Sequence, residues 1–554
     1  MFLEMGKNRI QNNKLKQAFQ YYKPVFGLLF NYKKKIAVIF LCMLFSFVIG
    51  FVQPLASQKL IDIGIVEKDF KILSLMCIVL MMLYIIHALF DYIKEKKRLQ
   101  IYNNIRFDLE VKSFKHLSSI RIDYFKNKNI SAICQTIKED ILSISSIAHS
   151  ESFEIVSAFL GAVGGGVSLL IMEWRLYLLT LVFLPINGFL TFYMMNKNMP
   201  ILRKYLDKSR DYSEVYGDYI NGIKVIRLFG LQRNKETAIR SRADELKTLN
   251  MDQSLIRKKN DLIQGLVMNF FSISIYFVSG LIMLKNDVSV GKVVAFETYA
   301  LMLSQPIIVA FSMIFEFSAL LPSIKRHLEF MNYPEEVPNG IESFDNGDIV
   351  FDNVSYSYDG AEDTLSDLSF RIEKGSKTVI WGKNGCGKTT LINMILRLIS
   401  PDKGEIMLCN NDIGKLDINR YRALFGVVSQ DVYLFNATLI DNIFLDREID
   451  KERFEHILEV LNLKGLVEEK GYEYNVGENG SMLSGGQKQK IALARALVTE
   501  KPIIILDEAT SNLDIETVEH IKKLFNTELK DCTVICVTHS EELIGYFDNV
   551  IKLH

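Results

Sequence analysis

Two short stretches carry residue types suited to phosphate chemistry. The first is Gly382-Lys383-Asn384-Gly385-Cys386-Gly387-Lys388-Thr389-Thr390, with the spacing G-x-x-x-x-G-K-[ST]. Glycines let backbone N–H groups close around phosphate oxygens, Lys388 can reach the outer phosphates, and Thr389 offers a hydroxyl to Mg²⁺. The second is Asp507-Glu508, at the end of the apolar run Ile503–Leu506. There Asp507 would hold Mg²⁺, directly or through water, and Glu508 would orient and polarise an attacking water as general base. His539, just past the run Val534–Val537, would contact a γ-phosphate.

These residues need a scaffold. Thr378–Trp381 reads as a strand and Leu391–Leu396 as a helix, which sets the glycine loop at a helix N-terminus, where the dipole favours anions. Continuous apolar runs such as 503–506 and 534–537 suit parallel strands covered on both faces. Ligands of open α/β sheets bind at the carboxyl ends of the strands, which would bring Asp507, Glu508 and His539 beside the loop. Ile349–Phe351, Val354–Tyr356 and Phe370–Ile372 add short strand signals. Residues 348–554 therefore read as an α/β domain, preceded by a Pro/Gly/acidic linker at 331–347.

The first half is different. Of the 554 residues, 49% are hydrophobic, but the long uncharged runs lie almost entirely before residue 320. A membrane-spanning helix needs about 20 apolar residues. Six runs free of Asp, Glu, Lys and Arg qualify with their flanks, placing spans at about 36–58, 72–92, 153–173, 175–196, 262–284 and 293–316. Lys33-Lys34-Lys35, Lys94 to Arg98, Arg203-Lys204 and Lys325-Arg326 flank one side of this array. The positive-inside rule then puts both termini in the cytoplasm. The two inner loops, about 60 residues each, carry apolar residues at helical spacing among charges and read as helices extending below the membrane. Residues 1–30 form a polar cytoplasmic segment, and 31–330 the membrane domain.

Charge balances at 65 basic against 65 acidic residues, so no nucleic-acid partner is implied. The seven cysteines show no CxxC spacing, so neither a disulfide framework nor a zinc site is expected. Ser157, Gly161 and Gly165 form a small-residue face. Asn269, Ser272, Tyr276 and Ser279 share one face of the fifth span, and Thr298, Gln305, Ser312 and Glu316 one face of the sixth. Both faces suit either a substrate cavity or interhelical hydrogen bonding. Glu297 and Glu316 lie about 28 Å apart along a helix, close to one hydrocarbon thickness. Glu297 is therefore expected near the outer interface, and Glu316 is a candidate at the inner mouth of a cavity.

Leu483-Ser484-Gly485-Gly486-Gln487 is identical to the LSGGQ signature of ATP-binding-cassette proteins, and Ile491–Ala496 follows as it does in that family. Beyond its first 20 or so residues the chain resembles an ABC exporter half-transporter, a type IV transporter with one six-helix transmembrane domain fused to one nucleotide-binding domain. The resemblance implies a membrane all-α domain with long cytoplasmic helical extensions, followed by an α/β P-loop ABC ATPase. It gives Tyr358 the adenine-stacking role and Gln430 that of Mg²⁺ sensor, so that Thr389, Gln430 and Asp507 would form the metal set. It makes Ser511–Asp514 the D-loop and His539 the switch histidine. It places coupling helices near Tyr124–Ile133 and Glu214–Gly222. Cys386 stands where Ser is usual, Asn512 where Ala is common, and Asn129–Ala132 lacks the usual Gly.

In such a family ATP is sandwiched between the phosphate loop of one subunit and Ser484, Gly485, Gly486 and Gln487 of the other, so a dimer is required. Every motif here is intact, which favours a homodimer over a heterodimer. The implied function is ATP-driven export of an amphipathic substrate by alternating access, in a bacterial inner membrane. The alternatives are a lipid or lipid-linked flippase, a siderophore-type importer, and a sensory membrane ATPase that moves nothing.

Overall fold

The structure is a computed structural model. It describes residues 21–125, 130–148, 153–283, 288–336, 340–358, 363–383, 385–448, 450–508, 519, 522–525, 527–538 and 544–553. The chain forms two compact units, Met1–Lys115 with Ile130–Asn332, and His116–Asn129 with Tyr333–His554.

The first unit is helical: α1 (21–30), α2 (Lys33–Lys59), α3 (Phe70–Leu117), α4 (Ile130–Ser145), α5 (Glu154–Met172), α6 (Trp174–Asn221), α7 (Ile223–Leu228), α8 (Gln232–Met283) and α9 (Val290–Met331). Among the described residues, five of its helices are long and apolar enough to cross a membrane. The sixth expected span falls on α9, where many side chains between 304 and 319 lie outside the described residues, including Gln305, Ser312 and Glu316. With 48 residues in α3 and 52 in α8, these helices run about 70–80 Å, more than twice the hydrocarbon thickness. The apolar part of α3 is exposed along Ile78, Met81, Met82, Ile85 and Leu89, as suits a helix bathed in lipid.

Close packing within the unit relies on glycine, at only part of the stripe the sequence suggests. A Cβ on Gly164 would lie 2.8 Å from the Phe47 ring, and one on Gly165 would lie 3.0 Å from the Tyr299 carbonyl, whereas Gly161 faces open space. The contact face is therefore centred on Gly164–Gly165 rather than on every fourth residue. Polar side chains join the helices: Gln264 donates to Thr191 at 2.9 Å, and Tyr276 donates to Glu297. Asp62, in the π-helical segment Leu60–Val66 that follows α2, accepts from Gly291 N–H at 2.7 Å at the start of α9.

The coupling segment expected near Glu214–Gly222 is instead the last two turns of α6. The helix stops at Gly222, and the short separate helix is α7, one position further on. Of the segment expected near Tyr124–Ile133, Ile122–Phe125 is a 3₁₀ turn and α4 starts at Ile130, while 126–129 lies outside the described residues.

The second unit holds two sheets. Strands β1 (Ile349–Ser357), β2 (Asp363–Ile372), β4 (Lys403–Leu408) and β5 (Asn411–Asp412) form an antiparallel sheet in the order β2-β1-β4-β5. The runs 349–351 and 354–356 belong to one strand. A register shift separates them, at Asn353 with its left-handed φ of 48°. Strands β3 (Lys377–Gly382), β6 (Phe425–Val428), β7 (Ile503–Asp507), β8 (Thr533–Val537) and β9 (Asn549–Leu553) form a parallel sheet in the order β6-β7-β8-β3-β9. Strands β7 and β8 are wholly buried, as their apolar runs require. Among the described residues, its helices include α10 (Lys388–Ile395), α11 (Ile418–Ala423), α12 (Leu439–Phe444), α13 (Lys451–Val460), α14 (Lys464–Lys470) and α15 (Gly485–Leu497).

Candidate functional site

The glycine loop leaves the end of β3 and enters α10 at Gly387, whose φ of 94° only glycine adopts easily. A Cβ there would also sit 2.6 Å from Leu365 Cδ2. Lys388 is buried, and its ammonium donates to the carbonyls of Gly382 and Lys383, each at 2.9 Å. The lysine thus folds the loop around its own charge, and the backbone N–H groups at the helix start face the place where an anion would sit. Thr389 and Gly385 are exposed, Cys386 is half-buried, and Thr390 is buried. The Tyr358 hydroxyl lies 3.1 Å from Thr390 Oγ1, with its ring edge-on to Tyr356, so an aromatic face stands beside the first turn of α10.

The parallel order of the second sheet sends β6, β7, β8 and β3 to one edge with their carboxyl ends. Gln430 follows β6, Asp507 ends β7, Thr538 follows β8, and the loop follows β3. Gln430 Nε2 donates to Glu508 Oε2 at 2.8 Å. Glu508 has a φ of 50° and donates its N–H to Val537 at 2.9 Å. A left-handed conformation in a residue other than glycine is costly and clusters at functional sites. Burial, and next the Glu508 charge, push the Asp507 carboxyl up to about 6, against the opposing pull of Lys388. A buried carboxyl that resists ionisation until a cation arrives is suited to a divalent ion, and Asp507 is such a group. Hydroxyl, carboxylate and carboxamide oxygens are the ligands Mg²⁺ accepts.

The signature forms the start of α15. Ser484 caps it with a reciprocal box, its hydroxyl accepting from Gln487 N–H at 3.2 Å while Gln487 Oε1 accepts from Ser484 N–H at 2.9 Å. Ser484 and Gly485 are exposed and Gly486 half-buried, leaving a helix N-terminus open to a ligand. Lys488 donates to the Asn479 carbonyl at 2.7 Å, which ties Val476–Gly480 to this helix. Asn384, Ser511–Asp514 and His539 lie outside the described residues.

Two residues beside the site escaped the sequence reading. Asp431 adds its charge to those raising Asp507. Arg422 gathers the carbonyls of Leu396 and Arg397 just past the end of α10. Only their places in the sheet order mark them, and spacing does not reveal that order.

Residues 36–307 match the ABC transporter transmembrane region, and residues 365–511 match the ABC transporter family. The chain belongs to the ABC transporter family. It is an ABC half-transporter, a multi-pass membrane protein whose second unit binds ATP and hydrolyses it to drive export. It is 27% identical to the ABC transporter ATP-binding protein YwjA of Bacillus subtilis (strain 168), over 97% of this chain and 93% of that one. It is 28% identical to the ATP-dependent lipid A-core flippase of Paraburkholderia xenovorans (strain LB400), over 85% of this chain and 80% of the flippase. Its fold matches a bacterial Atm1-family ABC exporter with ATP bound at a TM-score of 0.83 and 21% identity, covering 94% and 93% of the two chains. A half-transporter of this fold works as a dimer.

Proposed function

We propose that two copies of this chain form a homodimeric exporter of an amphipathic substrate, with each ATP held by one copy and completed by the other. The observation that carries this reading is the convergence of the phosphate loop, Gln430, Asp507 and Glu508 at one edge of the β6-β7-β8-β3-β9 sheet, together with an exposed signature helix start.

Tyr358 stacks on the adenine, and backbone N–H groups of Gly382–Thr390 with Lys388 hold the phosphates. Ser484, Gly485, Gly486 and Gln487 meet the γ-phosphate of the partner's ATP, next to Asp514. Thr389, Gln430 and Asp507 would hold Mg²⁺, which neutralises phosphate charge when bound. Glu508 takes the proton of the attacking water, and His539 contacts the γ-phosphate. The ATPase unit and both termini face the cytoplasm, and the membrane is the bacterial inner membrane. The domains run as a membrane domain over 31–330, a linker over 331–347 and a nucleotide-binding domain over 348–554.

A lipid-flipping role is the second reading, favoured by the likeness to lipid A-core flippases. Reconstitution into proteoliposomes tests both. Stimulation of ATPase together with inward accumulation of an amphipathic peptide or dye supports export. Stimulation by lipid alone, with leaflet exchange of a labelled lipid, favours the flippase. ATPase indifferent to every cargo contradicts both.

A further inference from the structure

Two segments that continue helices of the first unit are clipped together inside the second. The chain leaves α3 at Leu117 and α9 at Met331. Just beyond, Ile120 and Glu335 form an antiparallel bridge. Glu336 N–H donates to the Ser119 carbonyl at 2.7 Å, and Arg121 N–H to the Pro334 carbonyl at 3.2 Å. His116 Nδ1 lies 2.6 Å from Glu335 Oε1, and the Tyr124 and Tyr333 rings meet edge-on.

From this clip a single carboxylate reaches into the ATPase fold. Glu336 receives both terminal nitrogens of Arg422, at 2.6 and 3.1 Å. The same guanidinium donates through Nε to the Leu396 carbonyl at 3.0 Å and through a terminal nitrogen to the Arg397 carbonyl at 2.9 Å. Leu396 caps α10, whose first residue is Lys388 of the phosphate loop. Helix C-termini leave carbonyls without intrahelical partners, and a cation there is favoured by the dipole. Arg422 itself lies in α11, just before β6, the strand that leads to Gln430. One planar fork therefore joins the clip, the far end of the phosphate-loop helix and the strand entering the Gln430 segment. Lysine cannot reproduce such a fork.

We propose that Glu336 and Arg422 are positioning residues that couple the clip to the phosphate-loop helix, so that nucleotide binding at Lys388 shifts the segments following α3 and α9. This rests on the reading of Gly382–Thr390 as the ATP site. An eight-residue helix is about 12 Å of rigid rod, so a movement at its start is delivered whole to its end.

Hydrogen exchange followed by mass spectrometry tests the link on the full chain in lipid nanodiscs, with and without MgATP. The parent is Glu508→Gln, in which ATP persists. ATP is expected to slow exchange in residues 385–390 and to alter it in 119–121 and 335–336, where the Arg121 and Glu336 amides bond across the clip. Adding Glu336→Gln or Arg422→Lys should keep the first response and reduce the second by about threefold or more. An unchanged clip response in both variants overturns the proposal, as does faster exchange throughout without loss of the specific response. Loop protection in the parent with no clip response sinks the link alone. Absence of loop protection in the parent sinks the ATP reading, and the link with it.

Discussion

Gln430 Nε2 and Glu508 Oε2 are 2.8 Å apart, joining the segment after β6 to the end of β7. The carboxamide thus holds the oxygen that, in the proposed mechanism, receives a proton from water. The contact fixes the direction in which that oxygen points. Gln430→Glu would replace that donor with a second carboxylate. The acid limb of the ATPase pH profile should then move up by about one pH unit. Gln430→Ala should lower kcat about tenfold or more while the KM for ATP changes less. Steady-state rates between pH 5.5 and 9 check both outcomes, and a profile unmoved by Gln430→Glu would remove Gln430 from the site.

Asp507 makes a pH prediction for stability. Burial and the Glu508 charge hold its folded value at about 6, against an ordinary value of 3.8. A carboxyl raised on folding costs stability once it ionises. That cost is absent below the unfolded value, grows between it and about 6, and is complete above. Nucleotide-free Asp507→Asn should therefore unfold at a higher temperature than the parent at pH 7.5, with the gap closing as pH falls from 6 towards 4. Thermal unfolding across that range is the check. Since Asp507 is also the proposed Mg²⁺ ligand, the same variant should lose the extra stabilisation that MgATP gives over ATP with EDTA.

Tyr358 separates ring from hydroxyl. Its hydroxyl contact with Thr390 spans 3.1 Å and its ring is partly exposed. Aromatic stacking beyond area burial is worth about 0.5–1.5 kcal/mol, so Tyr358→Ala should raise the KM for ATP by about tenfold or less. Tyr358→Phe should leave it nearly unchanged. Equal effects of the two substitutions would assign the role to the hydroxyl instead.

How much of this was legible in the sequence follows from how local each feature is. The phosphate loop, the Asp507-Glu508 pair and the signature are runs of adjacent residues, and the spacing alone indicates their chemistry. The long helices were equally legible, since apolar length is a property of consecutive positions. The short helix Ile223–Leu228 begins just past the Glu214–Gly222 segment that the resemblance indicates, because charged, apolar and glycine positions alternate on both sides of Gly222. Phe351 and Val354 read as two strands because Asn353 breaks the alternation without ending the pairing. The meeting of Gln430 with Glu508, and of Glu336 with Arg422, could not be read at all. Each depends on strand order or on pairing between segments far apart in the chain, which no local pattern encodes.

The central claim is that Glu508, at the end of β7, performs the proton transfer of ATP hydrolysis at a site built on Lys388. The most direct measurement compares purified full-length parent, Glu508→Gln and Lys388→Ala for ATP turnover and ATP binding in the same lipid. Glu508→Gln should bind ATP as tightly as the parent while turnover falls by about 10²–10⁴-fold. Lys388→Ala should lose the binding itself. Parental turnover in Glu508→Gln, or parental affinity in Lys388→Ala, would contradict the account.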